Sequence, residues 1–334
     1  MSAIRFQNVV KQYNGTVRPS VDEVSFTVAQ GSFVVLLGPS GCGKTTLLKM
    51  VNRLVEPTGG QIYVGDQEIR QMNATHLRRQ IGYVIQQVGL FPHMTVAQNV
   101  AIVPSLLKWD KEKTAVRVDE LLTLIDLPPD EYRHRYPSQL SGGQRQRVGV
   151  ARALAGDPGV ILMDEPFGAI DAITRTGLQD ELLQLQRKLK KTILFVTHDV
   201  EEALRLADKI VIMRAGEIVQ YDTPFQILSH PANQFVYNLI GAGDMVRRLG
   251  LIRAEAAMTP LMARPSTTEP STVFSPTAVP ASVEPKPTIN RDDSLRRALS
   301  LLLASNAASL TVVADGQPVG EISLAAIQNA AGKK

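Results

Sequence analysis

The run Phe33-Val34-Val35-Leu36-Leu37 passes into Gly38-Pro39-Ser40-Gly41-Cys42-Gly43-Lys44-Thr45-Thr46, and from Thr45 to Leu54 the apolar residues take helical spacing. No other stretch constrains the fold as strongly. It fits G-x-x-x-x-G-K-[ST] in the setting that pattern requires, a strand before it and a helix after it. Glycines let such a loop wrap with its N–H groups pointing inward. Those donors and the helix N-terminus stabilise phosphate charge. Lys44 adds a cation beside the terminal phosphates, and the Thr45 hydroxyl is a ligand for Mg²⁺. Gly38, Pro39, Ser40, Gly41, Cys42, Gly43, Lys44, Thr45 and Thr46 are therefore the expected phosphate-binding set. Within it, Cys42 is either a filler or a thiol moderately activated by the helix N-terminus.

A second apolar strand, Val160-Ile161-Leu162-Met163, ends in Asp164-Glu165. The last side chains of such a strand reach the ligand crevice of a parallel sheet. Asp164 is placed to organise Mg²⁺, through water, and Glu165 to polarise an attacking water. The plainer alternative, two solvated acids before Pro166, loses ground once the phosphate loop is taken into account. Ile193 to Thr197 is another short apolar run, and Leu178, Leu182, Leu185 and Leu189 repeat at amphipathic helical spacing. Fully apolar strands alternating with helices predict an α/β domain with a largely parallel sheet.

Charge and cysteine usage limit the partners. The net charge of the 334 residues is +4, with acidic residues spread among the basic ones, so nucleic acid is not expected as a partner. One cysteine excludes an internal disulfide and suits a reducing compartment. Met1 to Gln12 does not read as a signal peptide, and no apolar run approaches the roughly 20 residues of a membrane helix. Any membrane-spanning part is expected on another chain.

The composition changes after about residue 240. From Pro260 to Pro287 the chain is rich in Pro, Ser and Thr, which reads as a linker. Beyond it the pattern predicts a helix over Asp293–Ala304, strands over Leu310–Ala314 and Pro318–Ile322 joined by a turn at Asp315-Gly316, and a closing helix over Leu324–Ala331. Such a small element is marginal alone and calls for a partner surface.

Leu140-Ser141-Gly142-Gly143-Gln144, followed by Arg145 to Leu154, resembles the signature sequence and signature helix of ABC ATPases. With GPSGCGKTT before it and ILMDEP after it, the match covers about residues 3 to 240. The resemblance implies an α/β P-loop NTPase cassette over residues 1–240, with a RecA-like core and a helical subdomain at about 90–158. It implies ATP and Mg²⁺ as ligands, and ATP hydrolysis as the activity. Tyr13 resembles the aromatic residue that stacks on adenine. Gln86 resembles the glutamine that senses Mg²⁺ and the lytic water, with Gln87 as the alternative register. His198 resembles the histidine at the γ-phosphate. Asp171 resembles the acid that links two cassettes, although Ile170 replaces the usual leucine before it. Ser141, Gly142, Gly143 and Gln144 are implied to close on ATP held by a second copy, in a head-to-tail homodimer.

Longer strings, RRQIGYVIQQVGLFPHMTVAQNVA and VTHDVEEALRLADKIVIM, resemble importer ATPases, nearest to those serving glycine betaine, carnitine and choline. An importer for another small solute, such as an amino acid, is the close alternative; a non-transport ABC ATPase acting on nucleic acid is the distant one. The importer reading implies a membrane permease, an extracytoplasmic solute-binding protein, and a peripheral position on the cytoplasmic face of the inner membrane. Leu90, Phe91 and Met94 are either core or a surface that receives a permease helix. The tail resembles a small α+β CBS-like segment, with one repeat at 289–334. Residues 241–288 hold the start of a first repeat, Gly243 to Pro260, and the linker. The tail is a packing element, a dimerisation element or a sensor.

Overall fold

Phe33–Leu37 forms strand β3, buried at every position. It lies mid-sheet because its apolar side chains have protein on both faces. The computed structural model describes residues 2–86, 89–168, 170–241, 245–261 and 287–332. The chain divides into two units: Met1–Ile227 with Ala232–Leu239, and Leu228–Pro231 with Ile240–Lys334.

The strands of the first unit are β1 (Ser2–Lys11), β2 (Val21–Ala29), β3, β4 (Gly59–Val64), β5 (Gln67–Glu68), β6 (Ile81–Val84), β7 (Val160–Asp164), β8 (Thr192–Thr197), β9 (Lys209–Arg214) and β10 (Glu217–Asp222). Its helices are α1 (Lys44–Val51), α2 (Ala74–Gln80), α3 (Val96–Leu106), α4 (Lys111–Leu124), α5 (Pro129–Tyr132), α6 (Gly142–Leu154), α7 (Ala172–Leu189) and α8 (Val200–Leu206). Helices α9 (Pro224–Ser229) and α10 (Gln234–Ile240) follow.

The main sheet has six strands in the order β10-β9-β3-β8-β7-β6. β3 is parallel to β8 and β9, and β7 is parallel to β6 and β8. Only β10 joins antiparallel. The expected parallel sheet is therefore present, and it brings the C-terminal ends of β3, β6, β7 and β8 to one edge. Phe195 in the middle of β8 packs between Phe33 at the start of β3 and Phe167 after β7, with ring centroids 5.7 and 5.8 Å apart. Helix α7 buries Leu178, Leu182 and Leu185, and it begins six residues before the expected Leu178, at Ala172.

A second sheet, β2-β1-β4-β5, is antiparallel. Its inner residues Ile4, Phe6, Val24, Val28 and Ile62 share one core with Leu47, Leu48 and Met50 of α1. Phe6 stacks on Phe26 at 4.4 Å.

The second unit contains α11 (Met245–Leu251), β11 (Thr259–Pro260), β12 (Thr288–Asn290), α12 (Leu295–Ser305), β13 (Ser309–Ala314), β14 (Gln317–Ser323) and α13 (Leu324–Gly332). The helix–hairpin–helix expected from the sequence is present, with two additions. β12 runs parallel to β13, and β11 pairs antiparallel with β14, giving the order β11-β14-β13-β12. Leu249 and Ala254, from before the linker, share a core with Leu295, Leu302, Leu310 and Ile322 from after it. Residues 262–286 of the Pro/Ser/Thr-rich stretch lie outside the described residues.

Candidate functional site

The glycine loop leaves β3 and enters α1 with the backbone twisted as only glycine allows. Gly38, Gly41 and Gly43 have φ of +155°, +78° and +104°. A Cβ on Gly43 would stand 2.2 Å from the Ser20 carbonyl oxygen, and one on Gly38 would stand 2.3 Å from that of Met213. The loop is thus clamped between the turn before β2 and the end of β9. Gly216 N–H donates to the Cys42 carbonyl at 3.1 Å. Helix α1 has no side-chain cap, which leaves the N–H groups of its first turn for an anion.

Lys44 is buried, and its Nζ donates to the carbonyls of Gly38 at 2.7 Å and Pro39 at 2.9 Å. The ammonium therefore sits inside the cradle. Cys42 turns its side chain into the core, is 3% exposed, and has its sulfur 3.7 Å from Lys44 Nζ. The filler reading suits this burial. A closed thiol offers nothing to an alkylating reagent, so the activated-thiol expectation is not carried further.

Thr45 Oγ1 donates to Asp164 Oδ1 at 2.8 Å, joining the end of β7 to the loop. Burial pushes the Asp164 carboxyl above the usual carboxylate range. The Thr45 hydrogen bond and the ammoniums of Lys49 and Lys44 oppose that rise, and neighbouring Glu165 adds to it. On the adjacent strand, Tyr83 is pushed up to about 12, by burial first and by the charge of Asp164 second.

Glu165 follows with φ of +44°, a strained conformation for a residue bearing Cβ, typically costing about 1–3 kcal/mol. Its N–H donates to the Val196 carbonyl at 3.0 Å, and its carbonyl accepts from Gly168 at 3.2 Å. The twist aims the carboxylate across the sheet edge. There Glu165 Oε2 lies 3.3 Å from Gln86 Nε2 and 3.1 Å from His198 Nδ1. The three proposed catalytic side chains, from the ends of β6, β7 and β8, thus meet at one carboxylate oxygen. Gln87 lies outside the described residues.

The support of His198 is buried and was not anticipated. Thr197 Oγ1 donates to Glu202 Oε2 at 2.6 Å and accepts from Asp199 N–H at 3.0 Å. Gln179 Nε2 donates to Glu202 at 3.3 Å. The only sequence signal was a Thr five positions before an acid on the next helix.

The remaining expected residues lie in separate local structures. Tyr13 is 41% exposed on the turn after β1, with Lys11 Nζ 4.9 Å from its ring centroid. Ser141 caps α6: its hydroxyl accepts from Gln144 N–H at 3.2 Å, and Gln144 Oε1 accepts from Ser141 N–H at 2.8 Å. Gly142 and Gly143 begin that helix, and a Cβ on Gly142 would meet only open space. No hydrogen bond joins Ser141–Gln144 to Gly38–Thr46 among the described residues. Asp171 caps α7, accepting from Thr174 N–H at 3.0 Å.

Beyond Gln86, the loop to α3 is pinned by Asn99, which is fully buried. Its amide donates to the carbonyls of Phe91, Met94 and Thr95 and accepts from Phe91 N–H at 2.8 Å. Phe91 itself is 44% exposed, so it is surface rather than core. Arg152 of α6 reaches the same segment, donating to the Gly89 carbonyl at 2.7 Å.

The donor set fits a phosphate-bound Mg²⁺. A hydroxyl and a carboxylate 2.8 Å apart are hard oxygen ligands, few enough to need phosphate and water as well. Among the described residues no group of three or more His, Cys, Asp or Glu could hold a metal by itself. No helix among them is long and apolar enough to cross a membrane.

Comparison with known proteins agrees with this geometry. Residues 21–168 match the model of the ABC transporter family. The chain is 46% identical to the carnitine transport ATP-binding protein OpuCA of Listeria monocytogenes, over 94% of this chain and 72% of that one. It is 54% identical to the glycine betaine/carnitine/choline transport ATP-binding protein OpuCA of Bacillus subtilis, over 76% and 67% of the two chains. Among solved structures it is similar to the dimeric post-hydrolysis state of the cassette MJ0796 bound to ADP and Pi. That match has a TM-score of 0.59 and 33% identity, covering 66% of this chain and 98% of that one.

Proposed function

The chain belongs to the ABC transporter family of ATP-binding cassettes, and from that membership we infer that it hydrolyses ATP to energise an importer of compatible solutes of the glycine betaine, carnitine and choline class. What supports the reading most is the convergence of Gln86, Glu165 and His198 beside the Thr45–Asp164 pair at one sheet edge.

ATP with Mg²⁺ would supply a γ-phosphoryl group for water to attack, with ADP as the leaving group. The rest is done by side chains. Lys44 and the loop N–H groups from Gly38 to Thr46 hold negative charge. Thr45 and Asp164 would hold Mg²⁺, with Gln86 near it. Glu165 polarises the attacking water and accepts its proton, and Gln86 and His198 fix the direction of its carboxylate. Tyr13 offers a flat ring to adenine.

Ser141, Gly142, Gly143 and Gln144 point no donors at their own chain's loop; the Gly142 and Gly143 N–H groups and the Ser141 hydroxyl, held in place by the Ser141–Gln144 cap, serve ATP on a second copy. Asp171, at the head of α7, couples the two copies. The loop held by Asn99, with Phe91 exposed, is the docking surface for a permease helix. A solute-binding protein outside the membrane delivers the solute. The subunit works peripherally on the cytoplasmic face of the inner membrane. Residues 1–240 are the cassette, and 289–334 form a single CBS-like repeat.

The test is uptake of labelled glycine betaine and carnitine into vesicles carrying the permease, with this chain and ATP inside. Uptake that needs ATP and fails with Lys44→Ala supports the reading. A chain that turns over no ATP with Mg²⁺, or uptake indifferent to Lys44→Ala, overturns it.

A further inference from the structure

At the opposite, N-terminal edge of the main sheet the first unit has a cleft of about 620 Å³, within the size range of small-molecule sites. The start of β7 and β8, the β4–β5 turn and the end of α2 wall it on one side; the segments following α3 and α6 close the other. None of the residues assigned above to ATP lines it.

Three of its lining residues stand out. Arg79, at the end of α2, makes no hydrogen bond or ion pair through its side chain among the described residues, and its Nε is shut away from solvent with no partner among them. A solute in the cleft cannot reach that closed Nε, so an anion would pair with the terminal guanidinium nitrogens of Arg79 instead. Asp66, on the β4–β5 turn, is exposed and has no ion pair among the described residues. Trp109 follows α3 and lines the cleft; Lys113 Nζ covers one face of its ring at 4.3 Å from the centroid, so a second cation would have to use the other face. The third charged lining residue, Asp157, is matched by Lys191 at 2.8 Å and Arg117 at 3.8 Å. The charge left over in the cleft is one guanidinium and one carboxylate, held apart on different elements.

We propose that this cleft binds a small zwitterion, with its carboxylate on Arg79 and its ammonium group against Trp109 and Asp66, and that the bound solute slows ATP turnover. A guanidinium pairs with a carboxylate in fork geometry, and a quaternary ammonium suits an indole face. A solute seated here touches the segments after α3 and α6 and the start of β7, whose far end carries Asp164 and Glu165. It thereby restrains the helices against the sheet. The identification of the zwitterion as the imported solute rests on the function proposed above; the cleft itself does not.

The full chain carries its own reporter, because Trp109 is its only tryptophan. Glycine betaine titrated into the purified protein is expected to give a saturable change in tryptophan emission. Choline and acetate, each carrying one of the two charges, are expected to bind about tenfold more weakly or worse. Arg79→Gln should remove the response. So should Gly159→Leu, which fills the cleft from a position where a Cβ meets nothing within 4 Å. Both variants should keep wild-type ATP turnover in the absence of solute. In wild type alone, turnover should fall several-fold as betaine saturates the site, with sucrose of equal osmolality inert. A response that does not saturate, that persists in both variants, or that acetate reproduces at equal concentration overturns the proposal, as does wild-type turnover indifferent to betaine. Uptake measured in permease vesicles separates the two readings. Binding without uptake removes the importer function and leaves the site, and uptake without binding does the reverse.

Discussion

The Thr45 hydroxyl and the Asp164 carboxylate, 119 positions apart in the chain, meet at 2.8 Å. Two motifs recognisable separately are one oxygen-donor site in space. Thr45→Val keeps the shape of the residue and removes the donor. A hydrogen bond to a charged group is worth about 1.5–3 kcal/mol. The half-saturating Mg²⁺ concentration for hydrolysis should therefore rise roughly tenfold or more, with nucleotide binding in the absence of metal little changed. Hydrolysis measured against Mg²⁺ concentration checks this.

Glu165→Gln keeps the size and the neighbours Gln86 and His198 but cannot accept a proton. Loss of general-base assistance typically costs about 10²–10⁴-fold. The variant should retain ATP, hydrolyse it at a rate reduced by that order, and run as a dimer on gel filtration when ATP and Mg²⁺ are present. Hydrolysis at the normal rate would assign the base elsewhere.

Glu202 supports the segment that carries His198, and burial, its main perturbation, raises its carboxyl above the usual range. The hydrogen bonds from Thr197 and Gln179 and the charge of Arg175 oppose that rise, and Asp199 adds to it. A carboxyl that holds its proton more tightly folded than unfolded contributes stability that is full below the unfolded value. That stability is lost as pH rises through the folded value. Glu202→Gln, which never ionises, should therefore melt above wild type in mildly alkaline buffer, with the gap closing in acid. Melting curves across pH would refute this if the gap widened toward acid.

Asn99 satisfies four backbone groups of the loop that presents Phe91. Asn99→Ala leaves the Phe91 N–H and the Met94 carbonyl unpaired, while the Phe91 and Thr95 carbonyls keep backbone donors at 3.1 and 2.9 Å; the cost is about 1–3 kcal/mol in stability. The expected outcome is reduced co-purification with the permease, while the isolated chain still binds ATP. Affinity capture of the tagged permease, followed by quantification of this subunit, measures it.

The sequence disclosed most where chemistry is local. The phosphate loop and Asp164-Glu165 are short strings at strand ends, and the parallel sheet between them follows from fully apolar runs. What stayed hidden depends on distant pairing. The sheet β2-β1-β4-β5 joins Phe6 to Ile62 through a register with irregular shifts, which no local pattern encodes. The Thr197–Glu202 bond spans a strand end and a helix, and Glu202 on its own reads as one more acid in a polar string. Cys42 was ambiguous in sequence, because loop position does not reveal which way a side chain turns.

In the tail, Thr259 pairs with Glu321 and Pro260 with Gly320, while Leu249 shares a core with Leu295. The two flanks of the Pro/Ser/Thr-rich stretch are therefore fastened to each other and not merely tethered by it. A protease nick anywhere within 262–286 should leave both fragments eluting together, and evolution can lengthen or shorten that stretch without unmaking the fold on either side.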